Sequence, residues 1–350
     1  GGRTWRALEN TPTSWERSRE TPTVYRLEFA DAQQPDQLIL ISANSDWPGD
    51  KGPGGFNCSL SSDEGKTWSE FETFYEKSSA HPVVPIVAMS ALTRLKEKGR
   101  FVDQWMGIFH DKHFVNYKTI LTFDNGGRMH WSAPEPYFAA YRAIEKGSKM
   151  CEVEMLRSGG GQGDELCLIT RSQTKKVNSL ISFSQDEGKT WSAPCELPAA
   201  LNGERHKAEW TKDGRLFITF RSIERSPEKN HLHREKGHEK RGWYSEGWIA
   251  WVGAYDDLKQ GREGQYRMKI AHTYLDDQGG PNIVANGDTG YCGNVVLEDG
   301  TIFTCTYGRF GDTCMDEKGQ KTLRTYIASR RIDLSLTDRM AGVSRTAPGL

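Results

Sequence analysis

The stretch SQDEGKTWS, residues 184–192, has a close copy in SSDEGKTWS at residues 61–69. Both copies place five residue types at one spacing, S-x-D-x-G-x-T-W. An Asp side chain accepts hydrogen bonds from the amides of a tight turn, and Gly adopts the positive φ that such a turn needs. The Thr returns the chain to a strand, and the Trp can anchor the hairpin on a neighbouring sheet. We therefore interpret the phrase as a structural turn and not as an active site.

The tryptophans indicate a repeat of about sixty residues. Trp5 lies 63 residues before Trp68, Trp131 lies 63 residues after Trp68, and Trp191 follows 60 residues later. Short apolar runs bounded by turn residues fill the intervals, and few segments have helical periodicity. Units of this length with several short strands are typical of β-propellers, whose radial closure hides the sheet edges. The sequence therefore predicts an all-β propeller.

Composition excludes several classes of function. The 350 residues have a formal net charge of −1, so a whole-protein electrostatic attraction to nucleic acid or to an anionic membrane is absent. No apolar run is long enough to span a membrane. The seven cysteines form no C-x-x-C pair, which argues against a zinc site, and we expect most of them to be buried thiols.

The S-x-D-x-G-x-T-W phrase resembles the Asp box of sialidases and related BNR-repeat proteins. The resemblance implies a six-bladed propeller of the sialidase type at residues 1–340, with a tail at 341–350. Residues 1–10 are then the outer strand of an incomplete first blade whose inner strands precede residue 1. The sequence has no Arg-Ile-Pro phrase, which in that family belongs to the first blade. The other blades are expected at 20–75, 82–137, 151–197, 205–275 and 290–334.

The resemblance also implies an activity. Sialidases are exo-acting glycoside hydrolases that remove a terminal acidic sugar with retention of configuration. We accordingly expect a carbohydrate partner, no cofactor, no nucleic acid, no membrane insertion and a monomer, and the family favours a secreted or periplasmic location. No Asp-rich calcium loop is present. The histidines at 231–238 stand in a highly charged run, which is typical of a solvated insertion rather than a metal site.

Two residues are candidates for the covalent chemistry. Tyr291 precedes an Asp-Gly turn in a passage similar to the one that contains the sialidase nucleophile, and Glu152 stands at the head of a blade where sialidases place a Glu. The resemblance implies that Tyr291 attacks the anomeric carbon and that Glu152 accepts its proton. The alternatives are a core or pore-lining role for Tyr291 and a surface salt bridge for Glu152.

Basic residues supply the candidate substrate contacts. Arg171 ends the second strand of the blade that Glu152 begins, and Arg205, His206 and Arg221 have the same layout in the next blade. Guanidinium groups suit carboxylates, so the three arginines could hold the acid group of a sugar. His206 could act as an acid, a base or a hydrogen-bond donor. A solvated charged loop is the alternative.

The proton donor to the leaving group is the least defined. His110 and Asp111 end a predicted strand and are the candidates for this role. They could equally cap a turn. Because the first-blade motif is absent, three other functions stay open. They are a non-catalytic carbohydrate-binding propeller, a hydrolase of a different sugar and a protein-interaction scaffold.

Overall fold

The structure is a computed structural model, and its strands form a series of antiparallel sheets in chain order. Five sheets, which we call blades 1 to 5, follow one another along the described residues. The structure describes residues 4–46, 52–225, 243, 245, 247–273, 289–310, 314–315, 321–322 and 325–343.

The strands of each blade run outward from the first one. Blade 1 contains β1 (Glu20–Leu27), β2 (Gln37–Ala43), β3 (Phe56–Ser61) and β4 (Glu72–Phe74). Blade 2 contains β5 (Ile86–Glu97), β6 (Arg100–His110), β7 (Asn116–Phe123), β8 (Met129–Trp131) and β9 (Glu135–Pro136). Blade 3 contains β10 (Met150–Arg157), β11 (Leu166–Ser172), β12 (Leu180–Ser184) and β13 (Cys195–Glu196).

Blades 4 and 5 complete the described strands. Blade 4 contains β14 (Gly203–Trp210), β15 (Leu216–Ser222), β16 (Trp248–Gly253) and β17 (Tyr266–Ala271). Blade 5 contains β18 (Thr289–Val296), β19 (Ile302–Gly308) and β22 (Tyr326–Ile332), and β20 (Cys314–Met315) pairs with β21 (Lys321–Thr322) in a separate ribbon.

Helices are few and short. The α-helices are α1 (Arg142–Ser148), α2 (Tyr255–Lys259) and α3 (Leu334–Ala341), and single 3₁₀ turns occur at Thr13–Arg17, Ala139–Tyr141, Gly159–Gly161 and Ala199–Leu201. Across the described ranges, no helix is long and apolar enough to cross a membrane.

The two S-x-D-x-G-x-T-W turns have the same internal hydrogen bonds. In the first, Asp63 accepts from the Thr67 amide at 2.9 Å and from its hydroxyl at 2.6 Å. In the second, Asp186 accepts from the Thr190 amide at 2.8 Å and from its hydroxyl at 2.6 Å. These bonds explain why the phrase needs Asp and Thr four residues apart, and they leave both side chains fully occupied within the turn.

The second turn also joins blade 3 to blade 2. Gly188 has φ +74°, and a Cβ at this position would lie 2.6 Å from Cε of Met106 in blade 2. Lys118 of blade 2 donates to the Gly188 carbonyl at 2.9 Å. Trp191 is buried, with its ring 6.0 Å from that of Tyr137. The turn therefore has the structural role that its composition predicts.

The hydrophobic core lies between successive blades. Each inter-blade cluster combines apolar residues from both neighbouring blades, so the alternating side chains of one blade fill the face of the next. Fully buried residues from the two sides of each interface are, in chain order, Ile41 with Phe109, Ile108 with Leu168, Ile169 with Ile218, and Phe217 with Ile302.

The expectation of six blades is wrong for the described part of the chain, which forms five. The five predicted complete blades coincide with the five sheets to within a few residues at each end. The error lies at residues 1–10, which were predicted to be the outer strand of another blade. Residues 4–10 contain no strand, and the Trp5 ring lies 6.1 Å from that of Phe303 in blade 5. Residues 344–350 of the predicted tail lie outside the described residues.

Candidate active site

Every blade interrupts its first strand at the same place. The ladder between the first two strands shifts register there. The first residue of the shifted segment, directly after the last paired residue, has a positive φ and is not a glycine. Such backbone is uncommon for these residue types and is characteristic of bulges that re-aim a side chain. The five residues are Thr21 (φ 42°), Val87 (51°), Glu152 (48°), Arg205 (59°) and Tyr291 (51°).

These bulges bring three predicted residues together. Glu152, Arg205 and Tyr291 come from blades 3, 4 and 5 but occupy equivalent positions on the first strands, which surround the propeller axis. Tyr291 donates its hydroxyl proton to Glu152 Oε1 at 3.0 Å. Arg205 Nε donates to Glu152 Oε2 at 3.3 Å. Tyr291 and Glu152, which the sequence analysis pairs, are thus joined by a direct hydrogen bond.

The ends of the second strands supply a second set of equivalent residues. Each lies directly across the ladder from the residue that precedes a bulge, so Arg171 and Arg221 occupy equivalent places in blades 3 and 4. Arg171 Nη1 donates to Glu152 Oε1 at 2.6 Å and is nine-tenths buried. In blades 2 to 5 the equivalent residues are His110, Arg171, Arg221 and Tyr307.

The charges around Glu152 separate its proton affinity from that of Tyr291. Burial would raise the pKa of Glu152, but Arg171 and Arg205 outweigh it and lower the pKa to about 2. Burial, with the Glu152 charge, raises the pKa of Tyr291 well above its usual value. At neutral pH the pair is therefore a carboxylate and a neutral phenol.

Arg205 also contacts two aromatic rings. Its guanidinium carbon lies 4.3 Å from the centre of the Tyr291 ring and 5.9 Å from that of Tyr307. The guanidinium donates a hydrogen bond to the Tyr307 hydroxyl. These contacts fix the orientation of Tyr291 through cation–π attraction. Tyr307 escaped the sequence analysis because a lone Tyr in a strand is a common core residue, and only its place across the ladder from Gly290 relates it to the arginines.

A buried carboxylate stands behind the arginines. Glu204 is 1% exposed and lies 2.9 Å from Arg171 Nε and 2.6 Å from Lys175 Nζ. It also forms an ion pair with Arg221. Burial opposes its ionisation, but the cations, Arg171 first, hold its pKa well below the usual range. Arg221 therefore acts on the site through Glu204 and not as a lining residue.

Two connected cavities surround the Glu152–Tyr291 pair. The first, the polar chamber, has a volume of about 310 Å³. The second, the axial cavity, has a volume of about 370 Å³ and extends along the first strands past Tyr25, Glu154 and Lys207. Val87, Glu152, Arg205 and Tyr291 line both cavities. The polar chamber is otherwise lined by Glu20, His110, Phe114, Cys151, Arg171 and Gln173.

Two predicted residues, His206 and Asp111, each have a polar atom engaged within the protein. His206 donates from Nε2 to the Leu201 carbonyl at 2.9 Å and stacks on Phe220 of its own blade. Burial lowers its pKa to about 4, so it is a neutral packing residue at pH 7. Asp111 Oδ1 accepts from the His113 and Val115 amides, both at 2.9 Å, and so closes a turn.

His110 does line the polar chamber. Its Nδ1 donates to the Asp111 carbonyl at 2.9 Å, and its ring stacks on Phe114. Burial lowers its pKa, which leaves the imidazole neutral at pH 7. A neutral imidazole can orient a substrate hydroxyl but has no readily released proton for a leaving group.

One acidic residue of the polar chamber was missed. Glu20 begins β1 and precedes the bulge of blade 1. In the sequence it stands among charged residues that resemble a surface loop, so only the structure relates it to the other blade heads. Its Oε2 atom is buried and has no hydrogen-bond partner among the described residues.

Comparisons with known proteins agree with this fold. A family model described as "BNR repeat-like domain" matches residues 1–241. A crystal structure of a protein of unknown function from Dyadobacter fermentans is 13% identical, with a TM-score of 0.52, over 89% of this chain and 75% of that chain. The GH93 α-L-arabinofuranosidase of Fusarium graminearum with arabinobiose is 13% identical, with a TM-score of 0.50, over 93% and 96%. No curated protein matches the sequence.

At these identities the structural similarity concerns the fold alone. The family match is stronger evidence because it spans more than half of the 350 residues and includes both S-x-D-x-G-x-T-W turns. The chain therefore belongs to the BNR repeat-like domain family of β-propeller proteins.

Proposed function

We propose that the protein is an exo-acting, retaining glycoside hydrolase of the sialidase type that removes a terminal acidic sugar. The observation that supports this most strongly is the hydrogen bond of 3.0 Å from the Tyr291 hydroxyl to Glu152, within a pocket that Arg171 and Arg205 make positive. A phenol beside a carboxylate base is the arrangement that nucleophilic catalysis by Tyr requires.

The charge balance supports an acidic substrate. Four cations, Arg171, Lys175, Arg205 and Arg221, surround two ionised carboxylates, Glu152 and Glu204. The excess positive charge is buried, where a substrate carboxylate would be attracted with little screening. A chamber of about 310 Å³ suits a single terminal sugar rather than the interior of a chain.

The first chemical step forms a glycosyl–tyrosine bond. Tyr291 Oη attacks the anomeric carbon, the bond from that carbon to the leaving oxygen breaks, and the phenol proton passes to Glu152. In the second step water attacks the same carbon, the Tyr291–carbon bond breaks, and Glu152 returns the proton to Tyr291. Two displacements at one carbon retain its configuration.

Substrate binding strengthens the base. In the free protein Arg171 and Arg205 depress the pKa of Glu152 to about 2, which makes it a weak proton acceptor. A sugar carboxylate that binds these guanidinium groups competes with Glu152 for them. The pKa of Glu152 then rises toward that of an ordinary carboxyl, so Tyr291 is deprotonated only when an acidic substrate is present.

A neutral sugar is the second candidate. The similar Fusarium graminearum structure is an arabinofuranosidase with arabinobiose, so the same fold accommodates a neutral pentoside. In that case the arginines of this chain would serve only to fix Glu152, and no carboxylate would be needed on the substrate.

A panel of aryl glycosides tests the proposal, with a sialoside, a glucuronide, an α-L-arabinofuranoside and several neutral hexosides. We expect release from the sialoside or the glucuronide, and the first sugar product seen by NMR to retain the anomeric configuration. Release from neutral glycosides alone would overturn the acidic-sugar assignment. Binding of a sugar without release from any member would overturn the hydrolase assignment.

A further inference from the structure

Glu20 and Glu204 occupy equivalent positions in different blades. Each precedes the bulge of its first strand and lies across the ladder from the end of the second strand. Opposite Glu204 stands Arg221, which neutralises it. Opposite Glu20 stands Ala43, a side chain with no charge and no hydrogen-bonding group. The same backbone position therefore gives an ionised carboxylate in blade 4 and a carboxyl without an opposing cation in blade 1.

The surroundings of Glu20 favour its protonated form. Its Oε2 is buried without a hydrogen-bond partner among the described residues. Burial, the largest cause, raises the pKa of this carboxyl, and the Glu152 and Asp46 charges raise it further, against the smaller lowering effects of the Val87 backbone amide and the Arg205 charge. The pKa values of Glu152 and Glu204 are instead lowered by the cations around them. Carboxyl groups in one site whose proton affinities are pushed apart are suited to separate acid and base roles.

Glu20 shares a cavity with the two residues proposed for the covalent chemistry. It lines the polar chamber together with Glu152 and Tyr291, and it comes from blade 1, whereas these two come from blades 3 and 5. A sugar attacked by Tyr291 would need a proton donor elsewhere on the chamber wall. We infer that Glu20 is the general acid that protonates the leaving oxygen, an assignment that rests on the hydrolase function proposed above.

The two steps balance with Glu20 in this role. As the anomeric carbon–oxygen bond breaks, the Glu20 carboxyl gives its proton to the departing oxygen and becomes a carboxylate. In the second step the carboxylate removes a proton from the attacking water. The water oxygen bonds to the anomeric carbon, and Glu20 returns to its protonated form.

The test compares two leaving groups on the sugar that the wild-type protein hydrolyses. The aryl oxygen of an activated aryl glycoside departs without protonation, whereas the alkyl oxygen of an alkyl glycoside must be protonated as it departs. In Glu20→Gln we expect kcat/KM for the alkyl glycoside to fall by about 10²–10⁴-fold. The first turnover of the aryl glycoside should persist as a burst that precedes a slow steady state, because the water is no longer deprotonated. Azide should restore steady-state release from the aryl glycoside, in this variant and in Glu20→Ala.

Asp46→Asn is the matched control. Asp46 is a second carboxyl at this end of blade 1, it pairs with Arg19 at 3.7 Å, and it is absent from the lining of both cavities. The assignment would be overturned if Glu20→Gln lowered kcat/KM equally for the alkyl and aryl glycosides. It would also be overturned if Asp46→Asn, and not Glu20→Gln, showed a loss of kcat/KM that depends on the leaving group. A wild-type protein that releases no sugar from either glycoside would show that the proposed function itself has failed.

Discussion

Replacing Glu204 by Gln should destabilise the protein, because it leaves buried cations without their counterion. Glu204 is 1% exposed and pairs with Arg171, Lys175 and Arg221. Removal of one partner from a buried ionic cluster typically costs about 3–5 kcal/mol. An unfolding entropy of roughly 2.1 cal/mol/K per residue over the 350 residues gives about 0.7 kcal/mol/K. The expected fall in Tm at pH 7 is therefore about 4–7 °C.

The fall in Tm caused by Glu204→Gln should become smaller as the pH is lowered. The three cations hold the pKa of Glu204 well below 4.5, against the opposing effect of burial. A carboxyl with a depressed folded-state pKa stabilises the protein fully above its unfolded-state pKa, and this contribution is lost as the pH falls toward the folded-state pKa. The difference in Tm between the wild-type and Glu204→Gln proteins should thus be largest near pH 7 and shrink below about pH 4.5.

Differential scanning calorimetry from pH 7 to pH 3.5 measures both effects. Glu196→Gln is the matched control, because Glu196 pairs with Arg225 at 3.4 Å on the surface, where 48% of its side chain is exposed. Such a pair is worth about 0–1 kcal/mol, so its Tm should change by less than about 2 °C. A Glu204→Gln protein within that range at pH 7, or a difference independent of pH, would refute the reasoning.

Two further substitutions separate chemistry from architecture. Tyr291→Phe should reduce kcat by at least about 10³-fold with an unchanged Tm, since only the attacking oxygen is lost. The control is Tyr117→Phe, which alters a Tyr stacked on Phe109 outside both cavities and should leave kcat unchanged. Equal activities of the two variants in a glycoside assay would contradict this prediction. Asp186→Ala should lower the free energy of unfolding, measured by urea titration, by about 1–3 kcal/mol and leave kcat unaltered, because the three hydrogen bonds that Asp186 accepts lie within the turn. A variant of wild-type stability would show that these hydrogen bonds contribute nothing to the stability of the protein.

The blades could be read from the sequence because their signal is local. The S-x-D-x-G-x-T-W phrase specifies a turn through its own hydrogen bonds, and the spacing of Trp68, Trp131 and Trp191 gives the length of a blade. The number of blades could not be read in the same way. The phrase GGRTW matches the end of the turn motif, but Trp5 contacts blade 5 instead of forming a strand of another blade.

The active site was only partly predictable for a physical reason. Glu152, Arg205 and Tyr291 point to the axis because each adopts a positive φ, which Glu, Arg and Tyr do not favour and which no local pattern encodes. The resemblance to sialidases singled out Glu152 and Tyr291, and the charged cluster at 203–207 singled out Arg205, whereas Glu20 matched no motif. Its surroundings depend in part on Ala43, which is far from it in sequence and lies opposite it in the ladder.

His206 has surroundings that differ from those of its neighbour Arg205. A His beside an Arg at a blade head suggests catalysis, yet the bulge directs Arg205 to the axis and leaves His206 to stack on Phe220 within the blade. Adjacent residues in a bulged strand can thus have unrelated surroundings, and sequence position alone does not separate them.

The identity of the nucleophile is the most direct test of the account. A fluorinated glycosyl fluoride of the hydrolysed sugar, which reacts in the first step and is slow in the second, should trap the intermediate for peptide mass spectrometry. The account predicts one added sugar per chain, attached to Tyr291, and no label in Tyr291→Phe. A sugar attached to Glu152 or to another carboxyl, or turnover with inverted configuration and no trapped adduct, would contradict it.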